Sequence, residues 1–322
     1  MTGAPHEGDV TAYWDIDAIV DELDAARSSW RNAQRRHVEY GSVGFPSRPN
    51  LTKIIDALCG ALFPLRLGPE FVRQHNENAF VAETLNTVLS RLYGQIRIEL
   101  AYAREGATPE DVDAEAGQII GKFAAGLPAL RTLLDTDVDA AFASDPAARS
   151  VDEVLICYPS MSAIIHHRLA HSLYLLGVPV VARIISEVAH SRTGIDIHPG
   201  ATIGHSFFID HGNGVVIGET AIIGNRVRLY QGVTLGARNI LLNEQGFVDR
   251  GVPRHPIIED DVVIYAGATV LGRIIVGRGS VIAGNVWLTK SVPATSNVQQ
   301  ASTVHEVKDR AVVSAPHRLK AL

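Results

Sequence analysis

Two clusters in this 322-residue sequence gather residue types that can do chemistry. The first joins Asp196-Ile197-His198-Pro199 to Ile209-Asp210-His211-Gly212-Asn213-Gly214, and the second is Arg254-His255-Pro256. A carboxylate hydrogen-bonded to one nitrogen of an imidazole leaves the other nitrogen as a base and stabilises the imidazolium that forms. Asp196 and the Asp210-His211 pair, brought together on neighbouring turns of chain, would be suited to taking a proton from an alcohol.

The elements that must position these residues announce themselves by a six-residue rhythm. Aliphatic residues open successive blocks at Ile197, Ile203 and Ile209, then at Ile217, Ile223, Leu229 and Leu235, and again from Ile258 through Ile264, Val270, Val276, Ile282 and Leu288. The fifth position of many blocks is a second small or branched apolar residue, as in Ala201, Val227, Val233, Val262, Ala268, Ile274 and Val286. Six residues advance an α-helix by well over one and a half turns and would scatter the aliphatics around it, whereas short strands joined by tight turns keep them on one side. Repetition at this period is the signature of a parallel β-helix, each coil burying its apolar corner against the next. The Asp210-His211 cluster falls where the register takes two extra residues, and Arg254-His255 ends an irregular excursion from Ala237 to Pro253.

Composition frames the rest. The chain has room for two domains, and its 46% hydrophobic residues can fill substantial cores. A formal charge of −6 argues against a nucleic-acid surface. Cys59 and Cys157 form no Cys-x-x-Cys pair, the usage of a reduced compartment. The N-terminus lacks a signal pattern and no apolar run reaches bilayer length, so no membrane association and a cytoplasmic location are expected.

Ahead of the repeats the pattern is helical. A helix is predicted from Asp15 to about His37 with Ile19, Val20, Leu23, Ala26 and Trp30 on one stripe, then others over Leu51–Leu62, Ala79–Ala103 and from Thr108-Pro109 to about Leu134. Two more run between Tyr158 and His190, broken at Gly177-Val178-Pro179. His166, His167, His171 and His190 lie here; without a Glu between His167 and His171 they read as structural rather than metal-binding. The fold class is therefore α+β. Residues 1–190 form an N-terminal helical domain, 191–295 a β-helix domain and 296–322 a C-terminal tail.

The segments DPA at 145–147, DIHPGATIG at 196–204, IDHGNGVVIGETA at 209–221, YQGVTLGA at 230–237 and RHPIIED at 254–260 resemble serine O-acetyltransferases. The resemblance implies a left-handed β-helix and acetyl transfer from acetyl-CoA to the L-serine hydroxyl, the first step of cysteine biosynthesis. By the resemblance His211 is the general base and Asp196 its orienting partner. Asp145 and Asp210 hold the substrate ammonium, Arg254 takes its carboxylate, and His255 orients it or stabilises charge. Two carboxylates for one cation and a guanidinium fork for a carboxylate are chemically sensible independently of kinship. Acetyl-CoA would lie against the backbone near Ala237, Ala266 and Gly284. The resemblance further implies homotrimers or dimers of trimers, and L-cysteine as a competitive inhibitor. A flexible tail ending in Ile docks many relatives on O-acetylserine sulfhydrylase; this chain ends in Leu322 after Arg318 and Lys320, so a weak or absent complex is expected.

Several features depart from the relatives. The 238–252 passage is longer, Val281 stands where some have lysine, and no Gly-Val-Pro-Ala-Arg segment follows Val292. An acetyltransferase for another hydroxylated acceptor, a γ-carbonic-anhydrase-like enzyme with zinc on His198, His205 and His211, and a non-enzymatic scaffold are the alternative readings. No metal is expected, since the zinc reading leaves Asp210 and Arg254-His255 without a role.

Overall fold

The computed structural model describes residues 14–33, 44–104, 106–238, 246, 249 and 251–301. Eight helices precede fourteen short strands among them: α1 (Ile16–Ala33), α2 (Arg48–Leu62), α3 (Pro64–Leu67), α4 (Glu77–Ala103), α5 (Pro109–Ser144), α6 (Val151–Cys157), α7 (Pro159–Leu175) and α8 (Pro179–Thr193). The helix starts are written in the sequence. Ser47 caps α2 through its side chain and Ser150 does the same for α6, while prolines occupy first-turn positions of α2, α5, α7 and α8. No described helix is long and apolar enough to cross a membrane.

Compactness divides the chain into one unit of residues 1–127 with 172–185 and another of 128–171 with 186–322. In the first unit, Leu51, Ile54, Ile55 and Leu58 of α2 and Leu92, Ile96 and Leu100 of α4 are at most 2% exposed. The buried carboxylate of Glu99 accepts from the N–H groups of Val180 and Val181 at 2.8 and 2.7 Å, capping α8 from a distant helix. Burial pushes its pKa up, and those two hydrogen bonds oppose the shift. By contrast α1 buries none of its residues, with Ile19 and Leu23 at 43% and 51% exposure.

The second unit carries the repeats. Strands β1 (Asp196–Ile197), β4 (Val216–Ile217), β7 (Thr234–Gly236), β10 (Thr269–Leu271) and β13 (Trp287–Leu288) stack as face I. Face II holds β2 (Thr202–Ile203), β5 (Ile222–Ile223), β8 (Ile257–Ile258) and β11 (Ile275–Val276). Face III holds β3 (Phe208–Asp210), β6 (Arg228–Tyr230), β9 (Val263–Ile264), β12 (Val281–Ile282) and β14 (Asn297–Val298). Every pairing is parallel and keeps the openers in register, as Ile197 on Ile217, Ile203 on Ile223 and Ile209 on Leu229. All thirteen openers point inward and are at most 8% exposed. The three faces make a triangular prism whose edges are the turns I/II, II/III and III/I. Non-glycine residues with positive φ sit at these edges, including Ser206, Arg226 and Asp261 at II/III and His211 and Asn285 at III/I.

Two boundaries differ from the sequence reading. The helical segment 128–171 belongs to the same compact unit as the β-helix, so residue 190 does not separate the units. The reason is a buried ion pair: Arg168 of α7 donates to Asp137 of α5 at 2.9 Å and to the carbonyls of Ile203 and Gly204 at 2.7 Å, while Asp137 accepts from Phe207 N–H at 2.9 Å. Burial raises the Asp137 pKa, a shift that Arg168 opposes. The repeat also runs past 295, because β14 pairs with β12 and adds a strand that was assigned to the tail. Residues 302–322, including Leu322, and most of the 238–252 passage lie outside the described residues.

Candidate active site

Edge III/I carries the acidic cluster. Asp210 ends β3, and His211 follows with φ 59, a left-handed conformation that histidine adopts more readily than most residues. Gly212 and Gly214 also have positive φ, and this loop accommodates the two extra residues. The His211 side chain is 72% exposed, and its Nε2 lies 3.6 Å from Asp210 Oδ1. Asp196 opens β1 on the same edge, its N–H donating to Val215 O at 2.9 Å, so the fold gathers Asp196, Asp210 and His211 on one edge. The carboxylate within ion-pair distance of the His211 ring is that of Asp210. Asp196 instead groups with Glu187 and His190, their ligand atoms lying within 4.8 Å of one another.

Asp145 joins this edge from the end of α5. It forms a side-chain turn, accepting from Ala147 N–H at 2.8 Å, and accepts from the Tyr158 hydroxyl at 2.5 Å. The Tyr158 hydrogen bond, then that of Ala147, hold its carboxyl below the usual range, with smaller help from the charges of Arg228 and His211. The same bond pushes the Tyr158 phenol up to about 12. Arg228 donates to Ser144 O at 2.9 Å and pairs closely with Asp210 Oδ2. The sequence reading missed Arg228 and Tyr158.

Edge I/II carries the basic cluster. Arg254 and His255 precede β8, and both their N–H groups donate to Thr220 Oγ1, at 2.9 and 3.1 Å. Arg254 Nη2 pairs with Glu219 Oε2 at 2.5 Å. Thr220 N–H donates to His255 Nδ1 at 3.1 Å, which places the imidazole proton on Nε2. Burial above all, and then the charge of Arg254, lower the His255 pKa to about 4, so this ring is a neutral donor at pH 7. Its ring packs on Gly218, where an added Cβ would collide with it.

The residues expected at the cofactor divide between edges. Ala266 and Gly284 stack at III/I on successive coils, Asn285 N–H donating to Ala266 O at 2.9 Å, whereas Ala237 follows β7 at the far side of face I. Gly214, Gly232 and Gly267, all with positive φ, stack beside them, a Cβ on Gly232 lying 3.5 Å from Gly267. A thin chain can follow such a strip where Gly214 and Gly232 carry no side chain; at Gly267 it meets the Asn285 side chain, whose Oδ1 would collide with a Cβ there. The alternative zinc set is scattered: His198 lies at I/II, His205 at II/III and His211 at III/I. His166 and His167 are buried in α7, and His167 stacks on His171 with ring centroids 5.6 Å apart.

A parallel β-helix of hexads with a histidine, carboxylates and a glycine strip on one edge is the architecture of a hexapeptide-repeat acyltransferase. The family described as "Bacterial transferase hexapeptide (six repeats)" matches residues 255–290. A plasmid serine acetyltransferase of Synechococcus elongatus is 50% identical over 298 residues, covering 91% of this chain and 93% of that protein. A serine acetyltransferase of Bacillus subtilis is 51% identical over 52% of this chain and 72% of its own length. Among solved structures, serine acetyltransferase isoform 3 of Entamoeba histolytica in complex with cysteine matches with TM-score 0.68 and 35% identity, over 80% of this chain and 84% of that one. The chain belongs to the serine acetyltransferase family, and its repeats form that family's left-handed β-helix.

Proposed function

We propose that the chain transfers the acetyl group of acetyl-CoA to the hydroxyl of L-serine. Asp145 and Asp210 receive the ammonium, Arg254 with the neutral His255 receives the carboxylate, and His211 takes the hydroxyl proton as the serine oxygen attacks the thioester carbonyl. The C–S bond then breaks and the imidazolium returns the proton to the departing sulfur, so no acetyl-enzyme forms. Asp196 is proposed to orient the ring, and the neighbouring His190 and Glu187 surround its carboxylate. When bound, acetyl-CoA supplies the activated acyl group; Ala266, Gly284 and the glycine strip at III/I would hold its pantetheine arm, and Ala237 would meet it from the other edge.

The observation that carries this reading is the separation of the two clusters. Acids and base stand at III/I while Arg254 and His255 stand at I/II, with face I between them. A serine molecule is too short to span both edges of one prism. Packing edge III/I of one copy against edge I/II of the next brings the clusters together three times around a closed ring, which is why a trimer is proposed. Face II presents Ile222 and Ile275 outward at 39% and 42% exposure, apolar surface suited to such packing. L-Cysteine shares the ammonium and carboxylate of serine, and the Entamoeba isoform 3 structure holds cysteine, so the same clamp is proposed to take cysteine as an inhibitor.

Release of free thiol from acetyl-CoA, followed with serine, homoserine, threonine and a sugar as acceptors, tests the assignment. Serine is expected to be the best acceptor, and a faster rate with a sugar or no release with any of them would reject it.

A further inference from the structure

Arg228 lies at an outward position of β6 and reads in the sequence as an ordinary surface charge. Its surroundings say otherwise: the side chain is 23% exposed, and its guanidinium lies 4.6 Å from the Tyr230 ring centroid and 5.3 Å from that of Phe208. Tyr230 in turn stacks on Tyr265 at 4.9 Å and 13°. Among the described residues the Nε is buried without a hydrogen-bond partner, a cost that a solvated arginine avoids. Two donors remain engaged, and they reach the two elements that carry the acids. Nη1 donates to Ser144 O at 2.9 Å, one residue before Asp145, and Nη2 pairs with Asp210.

We infer that Arg228 is a positioning residue for the acceptor: it fixes the spacing of Asp145 and Asp210 and balances one of their two charges, leaving one net negative charge for one ammonium. This rests on the proposed role of the two carboxylates. Without the guanidinium, two like charges at one edge repel each other, and the turn bearing Asp145 loses its tie to β6. The planar fork matters as much as the charge, because a lysine ammonium cannot lie flat on Tyr230 while reaching both oxygens.

The test uses the full-length enzyme with Arg228→Met and Arg228→Lys, each compared with Asp145→Asn and Asp210→Asn. The serine KM of Arg228→Met is expected to rise by about tenfold or more, the loss of one charge-assisted hydrogen bond. The acetyl-CoA KM should stay within about twofold, and Arg228→Lys should recover part of the loss. If the methionine variant fails to fold, the lysine variant carries the test: a serine KM raised about threefold with unchanged acetyl-CoA KM supports the inference, and both unchanged overturns it. A serine KM that is unchanged or lower in Arg228→Met, while Asp145→Asn and Asp210→Asn raise it, overturns the role of Arg228 alone. If neither aspartate variant affects serine, the reading of the acids falls and the inference with it.

Discussion

His211 and His255 are the same residue type on two edges of one prism, and their surroundings give them opposite characters. His211 stands exposed beside a carboxylate, an environment that accommodates a ring gaining a positive charge. His255 is 7% exposed, accepts from Thr220 and is held neutral down to about pH 4. A base must gain a proton during turnover, whereas a donor facing a carboxylate or an oxyanion must keep the one it has. On the proposed roles, edge III/I serves proton transfer and edge I/II holds the acceptor's carboxylate.

The largest expected effect removes the proposed base. His211→Ala should lower turnover by about 10²–10⁴. Acetyl-CoA binding, measured by calorimetry, should remain nearly intact; equal turnover in the variant would break the contrast between the two histidines.

At the other edge the expected loss is one of affinity. Arg254→Ala should weaken serine and cysteine together by about 10- to 100-fold, the loss of a charge-assisted pair. Serine kinetics and cysteine inhibition constants measured on the same preparations check this, and cysteine inhibition that survived unaltered would separate the two ligands. Gly218→Ala sharpens the point without touching a functional group, since its Cβ would collide with the His255 ring. It should cost about 1–3 kcal/mol of stability, as overpacking does, and raise the serine KM while leaving turnover at saturating serine largely unchanged.

The smallest effect concerns pH. An unfolded histidine has a pKa near 6.5 and the folded His255 about 4, so between those values the unfolded chain binds more protons. Stability from this group is therefore present above about pH 6.5 and declines as pH falls towards 4; His167, whose pKa burial pushes well below 6.5, adds in the same direction. Thermal midpoints from pH 7 to 4.5 should fall less steeply in His255→Gln than in the wild type, and parallel curves would count against the neutral ring.

Much of this was legible in the sequence because the β-helix is a one-dimensional fold. Openers from Ile197 to Leu288 that recur every six residues must share one side, and the structure buries each of them. Asp196, Asp210, His211, Arg254 and His255 were visible because their clusters interrupt that rhythm, whereas Asp145 was indicated only by the family resemblance. The residues that brace them were not: Arg228 meets Ser144 across 84 positions and Asp145 meets Tyr158 across 13, and neither interval has a period to reveal it. The tie between the 128–171 helices and the β-helix is hidden for the same reason, since Arg168 and Asp137, 31 positions apart, look like surface charges until they are buried together. The short helix α6 was overlooked because its seven residues are too few for a periodic pattern, although Ser150 marks its start.

Mixing two inactive variants shows whether one active site takes its proposed base from one copy and its arginine from the next. In a trimer of His211→Ala and Arg254→Ala chains, any mixed ring contains one site with both residues intact. Random reassembly of equal amounts should therefore restore about a quarter of wild-type activity, one site in three in three-quarters of the rings. Activity no greater than that of the separate variants would place His211 and Arg254 in the same chain's site and rule out a shared one.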